Sequence, residues 1–392
     1  MIINTENLAW LKEQPDNSID HIITDPPYLI DFMGKGWDKA DNIAGRKEFW
    51  EECLRVVKPG GYCLSFGHSR THHRVMIALE DAGWELRDTL MWLYGSGFPK
   101  SHNLGKKLGE EWEGWGSALK PAYEPIIMAR KPFGGSLANN VLEWGTGGIN
   151  IDACRVGSEI MPAIETKTET TEIGWEKRGY TTPEKTGRHP ANIMLSHSEG
   201  CKLVGETTET IIGGNKGKSG FAEGYESGDF TKKESPVELW DCEDDCPVKL
   251  LDTQAPAVGN VAKAKRKKDT TGGSGNSWTN GGKKEGEDNG IYDGLAGASR
   301  FFYCAKVSGK ERNFGVENKH PTIKPIELMK WLVKLVSKEG QTILDPFAGS
   351  GSTGIAVELL GRNFVGLELD PDYCDIAERR IEAWKEKENV LD

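Results

Sequence analysis

The chain has 392 residues with a net charge of −11, and 37% of them are hydrophobic: enough for one large α/β domain with a smaller insert, with no apolar run near the ~20 residues that a spanning helix needs. The eight cysteines are scattered rather than arranged as a disulfide scaffold, and the first residues lack the basic start of a signal peptide, so a reducing cytoplasm is the default. The acidic total argues mildly against a nucleic-acid partner, whose usual footprint is a basic face, although Lys263–Lys268 reads either as a local patch of that kind or as a solvated linker.

Met1–Asn4 reads as a short strand and Glu6–Lys12 as a helix. Ile19 to Thr24 is a β-branched apolar run, the pattern of a buried strand. Asp25-Pro26-Pro27-Tyr28 stops it, because proline has a fixed φ and no N–H for the ladder. Asp25 therefore stands at the carboxyl end of a core strand, the edge where open α/β sheets bind ligands. These four residues suit work on the exocyclic amino group of a base, a poor nucleophile whose lone pair is delocalised into the ring. A carboxylate and a backbone carbonyl can each accept one N–H of such an amine and draw it towards tetrahedral geometry. Asp25 supplies the carboxylate, the Asp25 or Pro26 carbonyl the second acceptor, and Tyr28 a face for an extruded base. The plainer reading is a turn that closes a strand and buries Tyr28.

Leu29–Trp37 predicts a loop over that site. Phe49–Val57 is an amphipathic helix ended by Lys58-Pro59-Gly60-Gly61, Tyr62–Phe66 a buried strand, His72–Ala82 a helix, and Trp84–Leu93 one strand or a pair. His68, His72 and His73 fit a solvated loop and a helix start better than a metal site. Trp112, Trp115 and Tyr123 lie among Lys100, Lys106, Lys107 and Lys120, a mixture that can stack bases and meet phosphates, or simply fold as a loop with buried aromatics. Ala122–Ala129 reads as the last strand of this half.

From Leu142 the character changes: residues from about Ser158 to Tyr180 and Gly205 to Pro236 are rich in Thr, Glu, Gly and Lys without clear periodicity, and about Gly259 to Gly290 is lower in complexity still, which predicts loops, hairpins or disorder. Within this insert His197-x3-Cys201 and Cys242-x3-Cys246 have the spacing of a closed zinc site, or are unrelated cysteines. Strand character returns at Ala298–Cys304, and Ile326–Ser337 is a helix with a broad apolar face. Gln341–Asp345 is a strand, Pro346-Phe347-Ala348-Gly349-Ser350-Gly351 a glycine-rich turn, and a helix follows from about Thr353 to Leu360. Asn363–Asp370 is a further strand ending in acids, and Pro371–Trp384 a closing helix. Gly349, Gly351 and Gly354 have the spacing of a dinucleotide fingerprint, and an acid after the next strand, Glu368 or else Asp370, can bind ribose hydroxyls. Asp345 departs from that fingerprint: it would repel a pyrophosphate and attract an ammonium or sulfonium.

Taken together, the chain resembles the amino-methylating DNA methyltransferases. Asp25-Pro26-Pro27-Tyr28 is similar to their catalytic motif and Asp345–Gly351 to their cofactor motif, in the permuted order of the β class. Ser65–Gly67, Tyr94–Ser101 and Leu119–Pro125 resemble segments of phage-associated members. The likeness is strong at both ends and weak in the middle. It implies a doubly wound, Rossmann-like α/β sheet with one added antiparallel strand, built from residues 1–141 as a catalytic half and 298–392 as a cofactor half, with 142–297 as an irregular target-recognition insert. It implies S-adenosyl-L-methionine as cofactor, held by Asp345, Pro346, Phe347, Ala348, Gly349, Ser350, Gly351 and Glu368, with Thr322 and Lys324 bordering its methionine end. Where relatives usually carry Gly-Asp, Thr5-Glu6 stands; Glu6 then either lies near the adenine end of the cofactor or complements a helix dipole. The implied partner is double-stranded DNA, with a homodimer compatible. The implied reaction is methylation of adenine N6 after base flipping, with no metal required. Cytosine N4 is the nearest alternative, although serine is commoner than aspartate at position 25 in those enzymes. An RNA or protein-glutamine N-methyltransferase and a non-catalytic DNA-binding protein are the others.

Overall fold

Ile22-Ile23, Cys63-Leu64 and Ile343-Leu344 place apolar residues at consecutive strand positions, and successive strand residues face opposite sides, so both faces of their sheet must be covered. In the computed structural model they are. The structure describes residues 1–391 apart from 31–41, 96–100, 162, 167–168, 171–175, 178–179, 199, 212–232, 245, 255–298, 300–301, 306–310 and 321. Most of the expected loop Leu29–Trp37 and the basic run Lys263–Lys268 lie outside the described residues.

From the N-terminus run β1 (Ile2–Asn4), α1 (Asn7–Glu13), β2 (His21–Thr24), α2 (Lys47–Val56), β3 (Tyr62–Phe66), α3 (His72–Asp81), β4 (Glu85–Leu93), α4 (Gly105–Leu108), β5 (Tyr123–Arg130) and α5 (Leu137–Trp144). Short strands follow: β6 (Val156–Met161), β7 (Ile164–Thr166), β8 (Glu169–Thr170), β9 (Glu176–Lys177), β10 (Tyr180–Thr182) and β11 (Lys185–Arg188). Next come β12 (Ile193–Ser196), β13 (Lys202–Ile211), β14 (Lys233–Asp241), α6 (Pro247–Gln254) and β15 (Tyr303–Ala305). The chain closes with α7 (Ile326–Val336), β16 (Thr342–Asp345), α8 (Ser352–Leu359), β17 (Asn363–Glu368) and α9 (Pro371–Leu391).

Nine strands form one sheet in the order β1-β17-β16-β2-β3-β5-β4-β12-β15. Of these, β5 runs antiparallel to β3 and β4, and the other neighbours pair in parallel. On one face Leu11 of α1, Phe49 and Trp50 of α2 and Leu79 of α3 pack on Ile22, Cys63, Ile127 and Leu344. On the other, Leu328 and Leu332 of α7, Ile355 of α8 and Ala377 of α9 pack on Ile23, Leu64, Ile126 and Ile343. Each such side chain, fully buried, contributes roughly 1.5–3 kcal/mol. The doubly wound α/β sheet expected from the sequence is the observed one. The helices after the adjacent strands β2 and β16 lie on opposite faces, so the carboxyl ends of these strands open a crevice between diverging connections.

The range 142–297 needs one correction. Among its described residues β6 pairs with β11, β7 with β10, β8 with β9 and β13 with β14, all antiparallel. Ile193–Ser196, however, enters the main sheet as β12, parallel to β4 and to β15. Four residues in polar surroundings carry no period of their own; burial between two strands decides their conformation.

Candidate active site

β2 ends at Thr24, and Asp25 follows at the edge of the crevice. Its Oδ2 accepts a hydrogen bond from Lys324 Nζ. Its Oδ1 is buried and has no hydrogen-bond partner among the described residues. A buried acceptor left alone costs about 1–3 kcal/mol, so an atom of this kind in a cleft marks a place where a donor binds. The Tyr28 hydroxyl donates to Glu124 Oε2 at 2.8 Å. Burial, followed by the carboxylates of Asp25 and Glu124, pushes its pKa well above the ordinary tyrosine value, so it remains a donor. Leu29, next in the chain, has φ +60°, a left-handed conformation that turns the backbone out of the motif.

Glu124 arrives here because β5 is antiparallel: its first residues lie at the edge where β2 and β3 end. Lys324 is 5% exposed and 3.4 Å from Glu124, with its Nζ 5.4 Å from the Tyr28 ring centroid and 4.9 Å from that of Phe66. Burial would lower its pKa, but Asp25 and Glu124 outweigh that and hold it above the ordinary lysine value. The lysine expected to border the cofactor thus pairs with the expected catalytic acid.

The second motif follows β16. Asp345 is 1% exposed, and protein donors meet both of its oxygens: Thr24 Oγ1 at 2.7 Å and Phe347 N–H at 3.1 Å on Oδ1, Thr353 Oγ1 at 2.6 Å on Oδ2. Burial raises its pKa to about 6 against those bonds. This carboxylate also ties the end of β2 to the start of α8. Pro346 accepts a hydrogen bond from Asn7 Nδ2 at 3.1 Å, and the Phe347 ring packs 5.3 Å from Phe49. Gly349 has φ +51°, and a Cβ there would stand 3.0 Å from His320 Nε2. Its N–H donates to Glu368 Oε2 at 2.9 Å, while Glu368 Oε1 accepts from Asp370 N–H at 2.9 Å. Arg380 of α9, fully buried, donates to the carbonyl and, at 2.9 Å, to the hydroxyl of Ser350. Ala348 N–H donates to the Leu367 carbonyl at 2.9 Å.

Both motifs open into one cleft of about 2040 Å³. Asp25, Pro26, Pro27 and Tyr28 line it, as do Asp345 to Ser350, Glu368, Thr322 and Lys324. Gly351 does not; at φ +80° it turns the chain into α8 and packs on Ala377. Glu6 does line the cleft, but its two oxygens cap its own helix, at 3.2 Å from Leu8 N and 2.6 Å from Ala9 N. Ser117–Tyr123 form another wall, beside which Trp115 is 60% exposed and packs edge-on to Trp112. His68 Nδ1 accepts from Arg70 N–H, and His72 and His73 begin α3, as a loop and helix start would have them. His320 belongs to the His320-Pro321-Thr322-x-Lys324-Pro325 element, whose resemblance implies the border of the cofactor's methionine end. Glu124 and Arg380 have places in the site without an expected role: Glu124 falls in the segment Leu119–Pro125, whereas nothing in the amphipathic pattern of α9 marks Arg380.

A cleft of this volume exceeds the roughly 300–1,000 Å³ of a single small-molecule pocket, which leaves room for two ligands. A family model described as DNA methylase matches residues 19–379. The Type II methyltransferase M2.DpnII of Streptococcus pneumoniae is 47% identical over 68 residues, a match spanning 17% of this chain and only 25% of that relative. The Type II methyltransferase M.HindIII of Haemophilus influenzae is 26% identical over 97% of this chain and 94% of its own length. Among solved structures, the cytosine-N4-specific PvuII DNA methyltransferase is 12% identical, covering 99% of this chain and 90% of that one at a TM-score of 0.45. The complex of M1.HpyAVI with SAM is 15% identical, covering 97% and 98% at a TM-score of 0.40. Over nearly its whole length, then, the chain belongs to the N6/N4 DNA methylase family, which uses S-adenosylmethionine.

Proposed function

We propose that the chain methylates the exocyclic N6 of adenine in duplex DNA, acting on a nucleotide extruded from the stack. The observation that carries this is the buried Oδ1 of Asp25 in the cleft wall, which has no hydrogen-bond partner among the described residues. Asp25 Oδ1 accepts one N–H of the amine, the adjoining carbonyl of Asp25 or Pro26 accepts the other, and Oδ1 holds the positive charge that grows on nitrogen. Tyr28 carries the ring. Lys324 on Oδ2 and Glu124 on the Tyr28 hydroxyl fix both groups before the base arrives, so little reorganisation is left for the reacting complex.

The residues around Gly349 fit S-adenosylmethionine. The glycine keeps side-chain bulk off the loop, Glu368 offers carboxylate lone pairs to ribose hydroxyls, and Phe347 and Pro346 give an apolar wall. When bound, this cofactor supplies a methyl group on a sulfonium, an electrophile whose leaving group needs no acid. Aspartate at position 25 favours adenine over cytosine, for which relatives more often carry serine. The exposed Trp112 and Trp115, with Lys106, Lys107 and Lys120 nearby in the chain, suit the DNA backbone and bases. Sequence recognition is assigned to the hairpins within 142–297.

The test is to methylate DNA with the purified chain, digest it to nucleosides and measure the modified base by mass spectrometry. N6-methyladenine is expected. N4-methylcytosine would overturn the choice of base, and unmodified DNA with cofactor bound would overturn the activity.

A further inference from the structure

β12 ends at Ser196 on the same sheet edge as Asp25, since β12 and β2 point the same way. His197 is the next residue. Cys201 immediately precedes β13 and Cys242 immediately follows β14, and because Lys202 pairs with Asp241 these two cysteines flank the base of the long hairpin. Cys246 stands just before α6. Cys201 N–H donates to the Ser198 carbonyl at 3.0 Å and Cys246 N–H to that of Glu243 at 3.1 Å, which draws each cysteine back towards the first ligand of its pair.

One ring nitrogen and three Sγ atoms thereby lie within 4.8 Å of one another. His197 Nδ1 is 3.4 Å from Cys242 Sγ and 3.7 Å from Cys246 Sγ. Tetrahedral zinc, with Zn–S near 2.3 Å and Zn–N near 2.0–2.1 Å, holds such ligand atoms about 3.5–3.8 Å apart. The His197 ring stacks on Trp240 at 4.0 Å and 14°, which fixes its plane. The cysteines are free thiols, not disulfides. Lys249 Nζ donates to the Cys242 carbonyl at 3.1 Å, so a cation borders a site that three thiolates and a dication would leave at one negative charge.

The region also needs a staple. Among the described residues the buried apolar side chains of this cluster are Leu195, Val248, Cys201 and Cys246, and a two-stranded hairpin is marginal alone. We propose that His197, Cys201, Cys242 and Cys246 bind one zinc ion that fastens the base of the β13–β14 hairpin and the start of α6 to the end of β12. Four protein ligands leave no open position, so the ion is structural. It sets the direction in which the hairpin leaves the edge that carries the cleft.

Zinc content tests this independently of methyl transfer. The full chain, purified without chelators from zinc-supplemented cells, should carry one zinc per molecule by mass spectrometry of metals. Cys201→Ser and Cys246→Ser should lose most of it, whereas Cys242→His, which restores a fourth ligand, should retain it. Cobalt loaded into the wild-type chain should give the intense visible absorption of a tetrahedral thiolate site, a readout that does not depend on any variant folding. Removing the metal should expose the 202–241 segment to limited proteolysis before the rest of the chain. A metal-free wild type that takes up neither zinc nor cobalt, zinc content unchanged in the serine variants, or a disulfide mapped between any two of the three cysteines would overturn the proposal.

Discussion

Asp25 and Asp345 end adjacent parallel strands, and each is followed by proline. Their surroundings differ by two hydroxyls. Thr24 and Thr353 both donate to Asp345, so its carboxylate is held within the protein. At Asp25 one oxygen receives Lys324 and the other is buried without a partner among the described residues. Even the residue before Asp25 directs its hydroxyl to the other aspartate. On the proposed reading of the site, what separates chemistry from scaffold at this edge is which acceptor sites the fold has already filled, not the acid or its local sequence.

The comparison breaks most visibly at Asp25. In Asp25→Asn the amide oxygen faces Lys324, a donor, and the amide nitrogen takes the place of Oδ1. A donor then stands where the amine needs an acceptor. Methyl transfer should fall by about 10²–10³ or more, with cofactor affinity within a few-fold and the melting temperature nearly unchanged. Turnover within about tenfold of wild type would remove Asp25 from its role.

Asp345 should respond in the opposite sense. Asp345→Ala strips two hydroxyls and one backbone N–H of their acceptor, and should cost roughly 3 kcal/mol of stability in urea melts. The pH dependence sharpens this. Its folded pKa is raised from 3.8 to about 6, so between those values the unfolded chain has released a proton that the folded chain still holds. Stability from this group is full below about pH 3.8 and is lost as the pH rises to about 6. Measured against Asp345→Asn, which does not titrate, wild type should lose on the order of 3 kcal/mol over that window. A difference that is flat, or that grows with pH, would mean that the carboxylate is not held as described.

The sheet was legible because its signals are local. The run Ile19–Thr24 followed by two prolines, or Thr342–Asp345 followed by a glycine turn, states strand and stop within ten residues. The cysteine spacing was legible for the same reason. The partner of the Tyr28 hydroxyl was not: Glu124 comes from an antiparallel strand, and nothing near either residue records that β5 reverses direction. β12 was missed because four residues, three of them apolar, become a strand only between β4 and β15. The two hydroxyl donors of Asp345, Thr24 and Thr353, are visible only once β2 and α8 are packed beside it.

Glu368 and Glu6 make the finest test of filled against unfilled acceptors. Both line the cleft, and both accept two backbone N–H bonds. Glu6 is exposed and uses its bonds to cap the helix in which it begins, a task for which the chain needs nothing from a ligand. Glu368 lies between the glycine loop and the end of β17, and burial raises its pKa, a cost without benefit unless its remaining lone pairs meet a donor. Glu368→Ala should therefore weaken S-adenosylmethionine binding by about 10–100-fold in calorimetry, the worth of charge-assisted bonds of roughly 1.5–3 kcal/mol. It should leave the methylated base unchanged. Glu6→Gln keeps one acceptor oxygen, and should hold affinity within about twofold while costing at most ~1 kcal/mol of stability. Equal losses of affinity in the two variants would show that an acid can cap its own helix and still hold the ligand, and an unchanged affinity in Glu368→Ala would move the ribose contact to Asp370.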